Sequence, residues 1–282
     1  MKIFNFTEIT SSEEKAQSYL KSHCWNQKEP SCIRCQHKRV YRLRNSRYRC
    51  PACGLTFSDF TGRWIGQLNI SAQQWLWIIK FFELGLSARK IAQEVGISYP
   101  TALKATNTIR KSIIFNKQSH GLLAGEIEVD ESYFGGKRKG RRGRGAKNKV
   151  PVFGILERNG IVKVEVLKDV SAESILNLTV KTVRRGSIVY TDKFRSYDSL
   201  MFCGYRHLRV DHQKRFASGK VYINGLEGFW SYAKERLIKY HGVSKSNFPL
   251  YLKEMEFRYN NRNKDLVPIL VKKMCFLVSN VL

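Results

Sequence analysis

The stretch Glu126-Ile-Glu-Val-Asp-Glu-Ser-Tyr-Phe-Gly-Gly136 alternates polar and apolar residues as far as Asp130, the period-2 pattern of a strand with one buried face. A strand end holds a side chain on rigid backbone, and Asp130 occupies that position. A second apolar run, Ile188-Val-Tyr-Thr-Asp192, ends in the same way. On neighbouring strands of one sheet the two carboxylates would repel, so either their pKa values rise or a cation binds between them. Between the runs, residues 150–156 and 161–167 are β-rich and joined by Arg158-Asn159-Gly160, a hairpin signal because Asn-Gly accepts positive φ. Residues 171–183 read as a helix with Ser171 as N-cap and Glu173 close behind. Residues 224–239 and 249–262 read as two more. On the first of these, Glu227, Trp230 and Lys234 are spaced i, i+3 and i+7, so one face carries acid, aromatic and base. A lone aspartate at a strand end is ordinarily a turn or cap residue; two of them with a helix glutamate are harder to dismiss.

Upstream the pattern changes. Cys32-x-x-Cys35 and Cys50-x-x-Cys53 offer four thiolates on tight turns, the tetrahedral donor set of one structural Zn²⁺, and Gly54 suits the turn beside the sulfurs. This segment is short and poor in apolar residues, so metal binding would supply most of its stability. Cys24, Cys203 and Cys275 read as ordinary thiols. Between Cys32 and Cys53 lie Arg34, Lys38, Arg39, Arg42, Arg44, Arg47 and Arg49 with no acidic residue, and Tyr41 and Tyr48 are interleaved. A solvated face normally mixes signs, so this one reads as a phosphate-contacting surface.

Residues 70–117 have helical spacing, with Trp75, Ile78, Ile79, Phe82 and Leu86 on one stripe. In Leu86-Ser-Ala-Arg-Lys-Ile-Ala-Gln-Glu-Val-Gly-Ile-Ser-Tyr-Pro-Thr-Ala102, Ser87 caps one helix, Gly96 supplies a left-handed turn, and Ser98 caps the next. That is the plan of a helix-turn-helix, with Lys104 among its DNA-facing candidates, although an αα-hairpin with only a packing role has the same pattern.

The whole chain is basic: 50 Lys and Arg against 23 Asp and Glu give +27 over 282 residues. Folding does not require such an excess and self-repulsion opposes it, so a polyanion partner is expected. The loop Lys137-Arg-Lys-Gly-Arg-Arg-Gly-Arg-Gly-Ala-Lys-Asn-Lys149 concentrates it in Lys137, Arg138, Lys139, Arg141, Arg142, Arg144, Lys147 and Lys149, a DNA clamp seven residues after Asp130. Apolar residues at 43% exclude a disordered chain. The longest apolar stretches are broken by lysines, and the first residues lack a secretory core, so no membrane partner and an intracellular location are expected.

The order strand–Asp, hairpin, helix, strand–Asp, helix–Glu resembles a ribonuclease-H-like DDE domain. In detail, Val129-Asp-Glu-Ser-Tyr-Phe-Gly-Gly-Lys137, the basic glycine loop, Lys149-Val-Pro-Val-Phe-Gly-Ile-Leu156, Tyr190-Thr-Asp192, Asn224-Gly-Leu-Glu-Gly-Phe-Trp-Ser-Tyr-Ala-Lys234 and Phe257-Arg-Tyr-Asn-Asn-Arg262 are similar to the ISXO-like insertion-sequence transposases, over nearly the whole chain. The fold this implies is α/β (α+β): a zinc ribbon with an N-terminal helix at 1–62, a helix-turn-helix region at 63–120 and a ribonuclease-H-like catalytic domain at 121–282. Carried over, Asp130, Asp192 and Glu227 fall on the metal-binding triad and Lys234 on the lysine that follows it. Some members of that family use an asparagine in the third place, and Asn224 is the neighbouring alternative. The resemblance implies two Mg²⁺ or Mn²⁺ per site, about 3.5–4 Å apart, cleavage at 3′ ends, and strand transfer into target DNA. The implied partner is double-stranded DNA, bound by a homo-oligomer on paired ends, in a cytoplasmic, nucleoid-associated setting. A non-catalytic DNA-binding regulator and a nuclease that cuts without joining are the alternatives.

Overall fold

The computed structural model describes residues 1–115, 121–135, 149–192, 203–209 and 222–278. The chain forms two units, Met1–Asn116 with Asn263–Leu282, and Lys117–Arg262.

The first unit begins with α1 (Ile3–Ile9) and α2 (Glu13–Cys24), the latter capped by Ser12, whose hydroxyl accepts the Lys15 N–H. A small antiparallel meander follows, β1 (Tyr41–Arg42), β2 (Arg47–Arg49) and β3 (Thr56–Ser58). Its core is aromatic. Trp25, Tyr48 and Phe57 pack together, and the Trp25 indole and Tyr48 hydroxyl both donate to Asp59. Tyr48 is therefore a core residue and not, as its place among the arginines implied, a surface aromatic. Three helices complete the segment, α3 (Ala72–Glu83), α4 (Ala88–Val95) and α5 (Tyr99–Phe115). The stripe Trp75, Ile78, Ile79 and Phe82 is fully buried. Ser71 and Gln74 close a capping box on α3, where the Glu13 carboxylate also accepts the Ala72 and Gln73 amides. Ser87 caps α4, and Gly96 at φ 71° turns the chain into α5, where Ser98 accepts the Thr101 N–H.

The second unit is a five-stranded sheet. Its strands are β4 (Glu126–Phe134), β5 (Val150–Glu157), β6 (Val162–Val166), β7 (Ile188–Thr191) and β8 (Arg206–Arg209), in the order β6-β5-β4-β7-β8. The first three are antiparallel, and the expected hairpin joins β5 to β6, with Asn159 at φ 60°. β7 runs parallel to β4, and β8 parallel to β7. This is the mixed sheet of ribonuclease-H-like domains. The crossover to β7 is α6 (Ala172–Thr182), capped by Ser171; Ile175 joins Ile127, Val129, Phe153, Ile155 and Val189 in one core. The opposite face of the sheet, with Phe134, Val152, Leu156 and Val164, meets Leu226, Phe229 and Trp230 of α7 (Asn224–Leu237) and Leu252 and Met255 of α8 (Phe248–Asn260). β8 was not anticipated: Arg-His-Leu-Arg lacks the apolar alternation that marks a buried strand, because it lies at the sheet's edge.

The last helix, α9 (Leu266–Met274), belongs to the first unit, with Val267, Leu270, Val271 and Met274 buried. It is tied there by Asp265, which pairs with the N-terminal ammonium, and by the Leu266 amide, which donates to Glu83. The sequence boundary of 121–282 assigned this segment to the catalytic domain; the second unit ends at Arg262. Among the described residues no helix is long and apolar enough to cross a membrane.

α8 also seals the free edge of β6. Asn260 accepts the Val162 N–H and donates to the Val162 carbonyl, both at 2.8 Å, Glu256 accepts the Val164 N–H, and Lys253 donates to the Val164 carbonyl. Side chains on one helix face thus replace the missing strand, which also blocks edge pairing with another chain. Asn260→Ala should lower stability by about 1–3 kcal/mol, since it leaves both backbone groups of Val162 unpaired. Urea unfolding monitored by tryptophan fluorescence measures this as a shift in midpoint at constant slope.

Candidate active site

β4 and β7 pair in the register Glu126↔Ile188, Ile127↔Val189 and Glu128↔Tyr190. Continued at the same offset, Asp130 lies opposite Asp192. Strand alternation puts Glu126, Glu128, Asp130 and Phe134 on the face covered by α7. Asp130 is half-buried there and accepts the Trp230 indole N–H at 3.0 Å. Its carboxyl is raised from 3.8 to about 7, first by burial, then by the charge of Glu131, with Asp192 adding to it; the Trp230 bond opposes the shift. Asp192 is therefore close enough to Asp130 to act on its carboxyl.

Trp230 both packs and bonds, and the space for it comes from a glycine that sequence reasoning passed over. Gly154 of β5 is the register partner of Asp130, and a Cβ there would meet the indole at 2.6 Å. A glycine inside a strand run, as in Val-Pro-Val-Phe-Gly-Ile-Leu, is the signal that could have found it.

Glu227 is exposed on α7, one turn after Ile223, whose carbonyl accepts its N–H and whose side chain packs on Tyr190 of β7. Asn224, at the first position of α7, is exposed as well. Lys234 is exposed with its ammonium 5.7 Å from the centroid of the Phe134 ring. Asp130, Asp192 and Glu227 are not drawn into one tight ligand group. Among the described residues only Cys32, Cys35, Cys50 and Cys53 form such a set, with sulfurs within 4.8 Å of one another. Beside the aspartates, Thr191 Oγ1 donates to the Asp192 carbonyl and lies 2.8 Å from His207 Nε2, a contact the sequence did not signal.

In the cysteine site the Cys32–Cys53 and Cys35–Cys50 sulfurs are each 3.5 Å apart, so the donor set is four thiols converging on one point, as zinc requires. Burial disfavours the Cys32 thiolate, but the Cys35 and Arg34 amides outweigh it and bring its pKa down to about 6. Around this site Arg34, Lys38, Arg39, Arg42, Arg44, Arg47 and Arg49 are all exposed, as are Tyr41, Lys104 on α5, and Lys149. Lys137, Arg138, Lys139, Arg141, Arg142, Arg144 and Lys147 lie outside the described residues. Arg258 is buried, with its guanidinium paired to Glu254 at 2.7 Å.

The raised pKa of Asp130 has a consequence for stability. The folded state binds an extra proton between pH 3.8 and about 7, so the ionised carboxylate costs stability that is fully felt above pH 7 and relieved as pH falls. Asp130→Asn keeps an acceptor for Trp230 without the charge. In the presence of chelator it should be more stable than the parent at pH 8, by roughly 1–2 kcal/mol given partial hydration. The gain should shrink toward pH 5. Thermal melts at the two pH values test this.

The family model described as the ISXO2-like transposase domain matches residues 122–260, and that of the transposase zinc-ribbon domain matches residues 11–56. A Haemophilus influenzae "uncharacterized transposase-like protein" is 45% identical over 30% of this chain and 69% of its own length. A Halobacterium salinarum "uncharacterized protein in transposable element ISH50" is 29% identical over 83% of this chain and 86% of its own. The solved Mos1 strand transfer complex aligns over 71% of this chain and 75% of that one, at 12% identity and a TM-score of 0.33. With both family models matched in the expected order, the chain belongs to the ISXO2-like transposases.

Proposed function

We propose that this chain is an active DDE transposase that cleaves element 3′ ends and joins them to target DNA. The observation that carries the reading is the parallel β4–β7 pairing, whose register, continued two residues, brings Asp192 beside Asp130, on the sheet face covered by the helix that bears Glu227. Carboxylate oxygens are the donors Mg²⁺ and Mn²⁺ favour, and a cation would offset both the burial and the acidic neighbours that raise Asp130. Held by Asp130, Asp192 and Glu227, two such ions would stabilise the charge developing on the attacking and leaving oxygens of a phosphodiester.

The chain's own residues have distinct tasks in this scheme. Trp230 fixes one Asp130 oxygen, and Thr191 with His207 steadies the backbone at Asp192. Lys234 offers its ammonium to a DNA phosphate. In the first step a water oxygen bonds to phosphorus and the bond to the element's 3′ oxygen breaks, which frees a 3′-hydroxyl. In the second, that hydroxyl oxygen bonds to a target phosphorus, the bond to the target's 3′ oxygen breaks, and the leaving oxygen takes up a proton in place of the one the attacking hydroxyl gives up.

The first unit holds DNA in this reading. One structural Zn²⁺ on Cys32, Cys35, Cys50 and Cys53 fixes the ribbon, and Arg39, Arg42, Arg44 and Arg47 meet phosphates. α5, with Tyr99 and Lys104 exposed in its first two turns, enters the major groove after the Gly96 turn. The basic loop 137–149 clamps DNA beside the carboxylates. The protein acts as a homo-oligomer on paired ends, on the nucleoid in the cytoplasm.

Purified protein, labelled element ends, target DNA and Mn²⁺ should yield joined products on a gel. Asp130→Ala, Asp192→Ala and Glu227→Gln should reduce them to background while end binding persists, and Asn224→Ala should not. Nicked ends without joined products would assign the chain to the nucleases instead, and joining by Asp130→Ala would refute the scheme. Elemental analysis should find one zinc per chain, and its removal by chelator should open residues 32–58 to protease without exposing 150–260.

A further inference from the structure

Glu128 lies two residues before Asp130 on the same face of β4 and is 1% exposed. Its oxygens serve two different elements. One accepts the Leu226 N–H at 2.9 Å, in the first turn of α7, and the other accepts Nε–H of Arg158 at 3.0 Å. α7 receives no side-chain cap from its own N-cap residue, Ile223. The first amides of a helix lack intrahelical partners and form the positive end of its dipole, so a carboxylate from the sheet takes the place of a cap. Gly225 makes the approach possible: a Cβ there would meet the Glu128 carboxylate at 3.0 Å and Leu156 at 3.1 Å.

Arg158, from the β5–β6 turn, extends the contact. Besides Glu128 it donates to Glu126 at 3.2 Å and to the Tyr222 carbonyl at 2.6 Å. Its guanidinium lies 3.9 Å from the Tyr190 ring centroid and 4.0 Å from that of Tyr222, and Tyr190 in turn donates to Glu126. Arg158 thus touches β4, which carries Asp130, β7, which leads to Asp192, and Tyr222, two residues before α7, which carries Glu227.

We propose that Glu128 and Arg158 form a positioning clamp that sets the start of α7, and with it Glu227, against Asp130 and Asp192. The proposal rests on the transposase reading above. A buried ion pair is a poor source of net stability, because desolvation offsets its attraction, and apolar side chains would cover the same sheet face. What apolar side chains lack is direction. A forked guanidinium and a two-oxygen carboxylate fix a helix amide relative to a strand at hydrogen-bond precision. Glu227 follows Leu226 directly, and one residue separates Glu128 from Asp130, so a shift of the clamp reaches the carboxylates through almost no intervening chain.

The test uses full-length protein with Fe²⁺ as the probe, ascorbate and peroxide, and maps backbone cuts made by radicals released at the bound iron. The parent protein should be cut near residues 130, 192 and 227. In Glu128→Gln and Arg158→Lys, cuts near 130 and 192 should persist and those near 227 should fall at least about threefold. The Mn²⁺ concentration for half-maximal joining should rise on the order of tenfold, the usual reach of residues that orient ligands. A parent protein without cuts near the carboxylates would sink the transposase reading itself. A parent pattern carried unchanged into both variants, with unchanged Mn²⁺ dependence, would overturn the clamp, and so would equal loss at all three positions in a folded variant. Should Glu128→Gln fail to fold, Arg158→Lys decides, because it keeps the charge and removes only the fork.

Discussion

Two like charges at the ends of adjacent parallel strands are the constraint around which the second unit is organised. The β4–β7 register, continued two residues, brings Asp192 opposite Asp130, and nothing in the packing of a sheet favours that arrangement. An indole N–H is spent on one Asp130 oxygen and a glycine on β5 makes room for the indole, while burial first, then Glu131, with Asp192 adding to them, move the carboxyl pKa to about 7. A site that is costly without a cation is well matched to bind one.

The neighbouring strand positions treat charge differently. Glu126 and Glu128 share the Asp130 face, yet both are paired with Arg158. One face of one strand thus carries two carboxylates that share a cation at its start and, at its end, one whose pKa has moved to about 7. In the first unit Asp59 is likewise consumed by Trp25 and Tyr48, with Arg63 buried beside it, while the arginines between Cys32 and Cys53 face solvent.

Much of this was legible in the chain. The four cysteines, the Gly96 turn, the Asn159 hairpin, the Ser171 cap and both aspartate strands were read from local patterns, and the structure has each where the pattern put it. Less was legible of Glu227, which was read as part of a convergent trio and stands exposed, outside any tight ligand group. Gly154 and Glu128 were given no role, and Arg158 none beyond its turn. Their partners lie 30 to 98 residues away, and no periodicity reports a contact of that range.

Sequence alone determined which elements form and where the aspartates, Glu227 and the four cysteines sit on them, because strand alternation, helix capping, turn glycines and cysteine spacing are local consequences of backbone geometry. It determined the sign of the chain's own charge too, since net charge needs no fold. Only the tertiary structure decided that α9 returns to the first unit, that Tyr48 is buried, that side chains of α8 close the sheet edge, and which acids are neutralised. Those outcomes depend on which surfaces meet, and burial and charge compensation are properties of surfaces brought together from distant parts of the chain.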